Sequence, residues 1–312
     1  MAVERISITP DYDWLGVRPQ FINASEVATV CGVALYGSAA QLFAEKKGLR
    51  PPQIDNAVMR RGRWGEASAF QALADMRPEW QLQRAAIHLI DRERRIAATP
   101  DGFAFRPDRE GIGLVEAKTV ARSVFRERWL DDAEDSEPRV PPHYLLQVLT
   151  TAMLAECRWA SVVALVVGEF GWDFHLIDVE RDPVIEEAIL DDVAAFWRDS
   201  LDPNIMPVFQ PQRDERLIKH LYPADDGTEI DLTTDNRALV AVDELTETQA
   251  ALKRLNATET ALKTELIGKL GAHTYGRLAD GRRLSWKQQS RKAYAVEAST
   301  YRVLRVLKES RA

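Results

Sequence analysis

Apolar positions recur every three to four residues along several stretches of the chain, and this spacing predicts amphipathic helices. The first follows Asn23-Ala24-Ser25-Glu26 and carries Val27, Val30 and Val33, with Asn23 as cap and Glu26 completing a capping box. A second runs over 38–48, from Ser38 as N-cap to Gly48 as stop, with Leu42 and Phe43 inward. A longer helix over 56–76 places Met59, Arg63, Glu66, Phe70 and Leu73 on one face, so Glu66 lies among core positions. Three strand-like segments follow at 86–90, 95–99 and 113–119, separated by the turn-prone residues 91–94 and 106–111. A helix is expected over 143–156. The run 160–167 is apolar throughout, as a strand covered on both faces should be, and a partner strand follows over 173–179. Residues 183–199 give a further helix, with Ile185, Ile189, Val193, Phe196 and Trp197 inward.

Helices first, then strands, then alternating helix and strands describe an α/β (α+β) fold, a mixed β-sheet with helices on its faces. That domain is expected to occupy residues 1–202. Residues 203–235, rich in Pro and Asp and without period, read as a linker to an extension over 236–312. Within the extension, Leu245, Leu252, Leu255, Leu262, Leu266 and Leu270 mark one or two long amphipathic helices ending at Gly271, without a strict heptad. Residues 275–278 and 283–287 then flank Ala279-Asp280-Gly281, a hairpin signal.

Composition narrows the class of protein. The chain is 46% hydrophobic and 29% charged, fitting a globular protein, and holds no run of about 18 apolar residues. Its start carries Glu4, Asp11 and Asp13 where a signal peptide would be basic, so a cytoplasmic location without membrane contact is expected. Cys31 and Cys157 are too few for a disulfide framework or a four-cysteine metal site. The five histidines lack His-Glu-x-x-His spacing, which argues against a zinc hydrolase. A net charge of −7 hides a division along the chain. Residues 46–128 carry 17 basic and 11 acidic side chains, residues 129–250 carry 8 and 27, and residues 251–312 carry 14 and 5. Two basic stretches, of the kind a phosphate backbone needs, thus flank an acidic middle, although solvated helix faces would look the same.

The chemistry concentrates at Thr99-Pro100-Asp101-Gly102 and, fifteen residues beyond the Asp, at Glu116-Ala117-Lys118, which ends the apolar strand Gly113-Leu114-Val115. Cutting a phosphodiester calls for a cation against the phosphoryl oxygens, and hard divalent ions take carboxylate and carbonyl oxygens. Asp101 and Glu116 on neighbouring segments supply two carboxylates. Lys118, two residues on, shares the Glu116 face, where its ammonium can orient water, stabilise negative charge or, with a lowered pKa, act as base. The residues alone leave two readings open, a metal site or a turn beside an ion pair.

Pro-Asp followed by Glu-x-Lys resembles the signature of the PD-(D/E)xK nuclease superfamily. Further segments resemble its lambda exonuclease and YqaJ viral recombinase branch: residues 22–32 with Ser25, Leu42-Phe43-Ala44-Glu45-Lys46-Lys47-Gly48, Arg63-Trp64-Gly65-Glu66, and His143-Tyr144-Leu145-Leu146-Gln147. In order and rough spacing they cover about residues 18–180, and the resemblance fades beyond 200.

The resemblance implies a restriction-endonuclease-like sheet and a metal-dependent DNA exonuclease, encoded by a phage or prophage and working in the bacterial cytoplasm. It implies Asp101 and Glu116 as principal ligands of two Mg²⁺ or Mn²⁺ ions, with the Ala117 backbone carbonyl and the helix carboxylate Glu66 joining them. Lys118 would be the catalytic lysine and Gln147 would help position the attacking water. Arg18, seven residues before Ser25, matches a pair that holds the 5′-phosphate of the degraded strand. Helix N–H groups near Ser25 suit such a phosphate and Arg18 adds directed bonds, although Ser25 could equally be a simple helix cap. The implied activity is 5′→3′ digestion of linear duplex DNA to 5′-mononucleotides, leaving 3′ overhangs for a single-strand annealing protein, with the enzyme itself in a ring. Two alternatives stand beside it: a structure-specific or nicking endonuclease of the same superfamily, and an inactive DNA-binding or assembly protein.

Overall fold

The computed structural model describes residues 3–10, 12–49, 57–130, 137–169, 171–293, 295 and 298–307. The expected helix start at Asn56 falls outside them, and the side chain of Met59 is likewise not described. The chain divides into two units, residues 1–221 and 222–312.

The first unit opens with β1 (Glu4–Ser7), α1 (Trp14–Val17), β2 (Ile22–Asn23), α2 (Ala24–Val30), α3 (Ala39–Lys46) and α4 (Ala57–Met76). Five strands follow: β3 (Gln81–Arg84), β4 (Ile87–Asp91), β5 (Ile96–Ala98), β6 (Gly102–Phe105) and β7 (Ile112–Ala121). Then come α5 (Arg122–Arg128), α6 (Pro142–Ala155), β8 (Trp159–Val167), β9 (Trp172–Glu180), α7 (Pro183–Phe196) and α8 (Glu215–Leu221).

The helix starts follow from local chemistry. Asn23 and Glu26 form the expected capping box ahead of α2, and the Ser38 hydroxyl accepts from the Gln41 amide at 3.1 Å ahead of α3. The first helix stops at Val30, short of Val33, which is exposed. On α4 the buried line is Gly65, Ala69, Phe70 and Leu73, and Arg63 is exposed instead of facing the core.

Where one mixed sheet is expected, the structure has two. The larger has the order β3-β6-β7-β8-β9, with β7 and β8 parallel and the other neighbours antiparallel. The smaller has the order β1-β4-β5-β2. Strands β1, β2, β3 and β6 leave no mark in the sequence pattern, each having two to four residues, too few for alternation to be visible. The chain leaves β5 in one sheet and enters β6 in the other, with Pro100-Asp101 at the crossing.

Strand β7 presents different partners on its two sides. Leu114 and Val120 pack with Val148, Leu149 and Ala152 of α6, while Val115 packs with Ala69, Phe70 and Leu73 of α4. Side chains alternate along a strand, so Glu116 and Lys118 take the α6 side, and Ala117 and Thr119 the α4 side. Gly65 lets α4 approach closely: a Cβ there would stand 1.9 Å from Thr119 Oγ1.

The first unit also runs past the expected boundary at 202. Asp214 is fully buried, accepting from Ser38 Oγ at 2.6 Å, Gln41 Nε2 at 2.9 Å and the Gln210 amide at 2.6 Å. Leu217 of α8 packs with Ala40 and Ala44 of α3. One buried carboxylate and one leucine therefore fix part of the expected linker against α3.

In the second unit, α9 (Asn236–Leu270) is one continuous helix capped by Asp235, followed by the antiparallel hairpin β10 (Tyr275–Arg277) and β11 (Arg283–Ser285). Gly281 turns the hairpin at φ +87°. No helix among the described residues is long and apolar enough to cross a membrane.

Candidate active site

A fork in the larger sheet creates the site. β6 pairs with β7 only as far as Gly102↔Val115, whereas β7 stays paired with β8 to Ala121↔Val167. Beyond Val115 one edge of β7 is open, and Asp101, the residue before β6, fills it: its Oδ2 accepts from the Ala117 amide at 2.9 Å. The N–H and C=O of a strand residue leave on the same edge, so the Ala117 carbonyl also faces the Asp101 side.

Glu116 is 1% exposed. Its Oε1 accepts from Lys118 Nζ at 2.7 Å and from Gln147 Nε2 at 2.6 Å, and Gln147 Oε1 accepts from Lys118 Nζ at 3.1 Å. The other oxygen, Oε2, is buried with no hydrogen-bond partner. Lys118 also lies 4.8 Å from the centre of the Tyr144 ring. Tyr144 and Gln147 are three apart on α6 and so face the strand together, a helical spacing legible in the sequence though only Gln147 was singled out from it.

Burial and the Glu116 carboxylate push the Asp101 pKa up to about 8. Burial pulls Lys118 down, but Glu116 and Asp101 outweigh it and hold the pKa above the ordinary lysine value. The two carboxylates thus favour the ammonium form of Lys118, which suits orienting water or stabilising charge.

Glu66 comes from α4, across the sheet from Gln147, and pairs with Arg84 of β3. Its charge still acts on Asp101, whose pKa it helps to raise. Arg84 in turn lies over the Phe70 ring, and no sequence pattern pointed to it. The structure thus gathers Asp101, Glu116, Lys118 and Gln147 tightly, with Glu66 close but engaged elsewhere.

Among the described residues no three His, Cys, Asp or Glu side chains stand together as a metal-binding group. The donors that fit a hard cation are two carboxylates, one with a buried and unpartnered oxygen, and a carbonyl on the open edge of β7.

Arg18 and Ser25 also meet, Arg18 Nη2 donating to Ser25 Oγ at 3.4 Å, but Glu26 Oε1 is nearer at 2.8 Å. Lys46 closes on the other Glu26 oxygen at 2.6 Å and donates to the Phe21 carbonyl at 2.6 Å. Burial raises the Glu26 pKa, and Lys46 and Arg18 more than reverse this, holding it below the usual value. Arg18, Ser25 and Glu26 border a cavity of about 470 Å³ lined also by Thr29, Tyr36 and Ser38, and none of Asp101, Glu116, Lys118 or Gln147 lines it. α2 packs on α6, the helix that carries Gln147.

Residues 13–158 match the model of the YqaJ-like viral recombinase domain. These residues are similar to that family. Glu66, Asp101, Glu116, Ala117, Lys118 and Gln147, and the residues named above for the Arg18 cavity, lie within that match. Among solved structures, the chain is similar to the alkaline exonuclease LHK-Exo from Laribacter hongkongensis, with 23% identity over 62% of this chain and 93% of that one, at a TM-score of 0.48. It is also similar to a phage-related exonuclease from Haemophilus somnus 129PT, with 11% identity over 57% and 92% of the two chains and a TM-score of 0.41. No curated protein matches the chain.

Proposed function

We propose that this protein is a metal-dependent deoxyribonuclease of the phage recombination type that degrades linear duplex DNA from its 5′ ends and leaves 3′ single-stranded overhangs. The observation that carries the proposal is the buried Glu116, with one oxygen unpartnered, beside Asp101 at the fork of a YqaJ-like domain. Burying a carboxylate costs several kcal/mol unless a cation or hydrogen bonds compensate it, so this pair calls for positive charge beyond what Lys118 supplies.

Asp101, Glu116 and the Ala117 carbonyl would hold Mg²⁺ or Mn²⁺, with Glu66 joining once released from Arg84. A divalent cation supplies neutralisation of the charge that gathers on the phosphoryl oxygens. The Lys118 ammonium, held by Glu116 and Gln147, orients the attacking water and stabilises developing charge. Gln147 keeps the lysine and the carboxylate in register. Arg18 and Ser25 would receive a terminal 5′-phosphate, which favours attack from an end and sets polarity.

End-labelled linear duplex and covalently closed circular DNA, incubated in Mg²⁺ or EDTA, test the reading. The expected result is mononucleotide release from linear DNA in Mg²⁺ only, with the circles intact. Nicked circles would assign an endonuclease, and no hydrolysis with DNA binding retained would assign a binding protein.

A further inference from the structure

The hairpin of the second unit has one covered face and one bare one. Gly276 and Leu284 are half-buried and face the end of α9, where a Cβ on Gly276 would stand 2.8 Å from Leu270. Side chains alternate along a strand, so Tyr275, Arg277, Arg283 and Ser285 belong to the other face, and all four are exposed. Lys287, two residues beyond Ser285, continues that row. Its Nζ lies 5.1 Å from the centre of the Tyr275 ring, and the Arg283 guanidinium lies 4.9 Å from the same ring.

The register makes this face costly. Arg277 stands directly opposite Arg283. The Trp286 amide donates to the Thr274 carbonyl and the Leu278 amide to the Arg282 carbonyl, so the two arginines form a non-hydrogen-bonded pair, the kind in which facing side chains stand closest. Like charges directly opposite destabilise a two-stranded ribbon that is marginal to begin with. Among the described residues no carboxylate pairs with Arg277, Arg283 or Lys287. Asp280, the single acid within 271–293 against six Lys and Arg, is taken by Arg282 at the turn, at 2.6 Å. Three cations in one row without acidic partners call for an anion that meets them together. Guanidinium forks suit phosphate oxygens, and the row carries no exposed aliphatic side chain by which a peptide would be gripped. A two-stranded ribbon is also narrow enough to lie in the major groove of a duplex.

We infer that the β10–β11 hairpin is a DNA contact separate from the fork, a basic ribbon that holds the phosphate backbone of duplex DNA without reading its sequence. The inference rests on DNA being the substrate, as proposed above, but not on the chemistry of Asp101 and Glu116. It assigns a role to residues that lie beyond the family match over 13–158.

The test uses the full chain and the fluorescence anisotropy of blunt, labelled duplexes of two unrelated sequences, titrated in EDTA over a range of salt. Arg277→Ala, Arg283→Ala and Lys287→Ala combined should weaken binding at least about tenfold near physiological salt, and should lower the slope of log K against log salt by about 2–3, at about 0.9 per phosphate contact. Both sequences should lose equally. Arg277→Ala alone, which leaves the Tyr275 contacts in place, should lower the slope by about 1. Arg277→Lys with Arg283→Lys should keep the wild-type slope, because a backbone contact needs charge and not a particular side chain. Hydrolysis in Mg²⁺ is scored separately: DNA bound through the hairpin but never cut would overturn the nuclease reading and leave this one standing. A wild type that does not bind, or a triple variant with unchanged affinity and slope, would overturn the inference. So would a triple variant that loses binding to poly-glutamate and keeps its affinity for DNA, which would assign an acidic protein segment as the partner.

Discussion

Two oxygens of one side chain set the terms at the smallest scale. Glu116 gives Oε1 to Lys118 and Gln147 and leaves Oε2 buried without a partner, opposite an Asp101 that burial and Glu116 have made reluctant to ionise. Asp101→Ala or Glu116→Ala should therefore reduce hydrolysis by about three orders of magnitude or more, roughly 4 kcal/mol, in a protein that stays folded by circular dichroism. Near-normal rates in Mg²⁺ would remove the metal-site assignment. Lys118→Gln should slow turnover by about 10²–10⁴ with DNA affinity largely kept, whereas equal losses in both would make it a backbone contact. At the Arg18 cavity, Glu26 offsets the charge that a phosphate would meet. The preference for 5′-phosphorylated over 5′-hydroxyl ends should accordingly be about tenfold, at the lower end for a charged hydrogen bond, and Arg18→Ala should abolish it. Equal wild-type rates on the two ends would leave the polarity without support.

At the scale of elements, the site depends on how closely a helix and a strand approach. Gly65 leaves no room for a methyl group beside Thr119, and the next residue on α4 is Glu66. Gly65→Ala should cost about 1–3 kcal/mol by overpacking and lower the hydrolysis rate by displacing Glu66 from the fork. Unchanged melting and activity would show that α4 can shift without consequence. The same scale explains why the sequence reading was uneven. Helices α2 and α3 were legible because their caps are local hydrogen bonds written in adjacent residues. β6, reading Gly-Phe-Ala-Phe, was not, because its strand character comes from pairing with β7 and β3 and not from its own four residues.

Across the whole molecule, pH acts through two histidines and, in the opposite sense, through Asp101, whose raised pKa lets the folded chain hold a proton that the unfolded chain releases between about 4 and 8. Burial and Arg18 lower the pKa of His88, whose ring is fully buried with Nδ1 on the Tyr12 hydroxyl at 2.8 Å. Burial, Lys118 and Arg128 push His143 down to about 4. Depressed values mean that the folded chain binds fewer protons than the unfolded one, so this contribution to stability is complete above about 6.5 and is lost as pH falls toward 4. With Asp101 acting oppositely, the histidine contribution is read as a difference: as pH falls from about 6.5 to 4, the melting temperature of His143→Gln should gain on that of the wild type. A difference between the two proteins that stays constant with pH would show that the His143 ring is not held neutral.

The sequence by itself determined the residues of the chemistry. Pro-Asp and Glu-x-Lys state donor types and a strand alternation of two, and these fix that Glu116 and Lys118 share a face before any fold is known. It also determined the helix caps, the covered strand β8 and the C-terminal hairpin, each set by neighbours in the chain. Only the tertiary structure decided that the chain crosses from one sheet to another at Asp101, that β7 loses its β6 partner just before Glu116, and that Glu66 reaches toward the site from the opposite face while paired with Arg84. It alone decided that Arg18 meets Glu26 as well as Ser25, and that Asp214 ties residues 203–221 to α3. The physical reason is range. Caps and alternation depend on residues a few positions apart, whereas the fork, the ion pairs and the buried carboxylates depend on groups brought together from far along the chain, whose desolvation and pairing exist only once the core has closed.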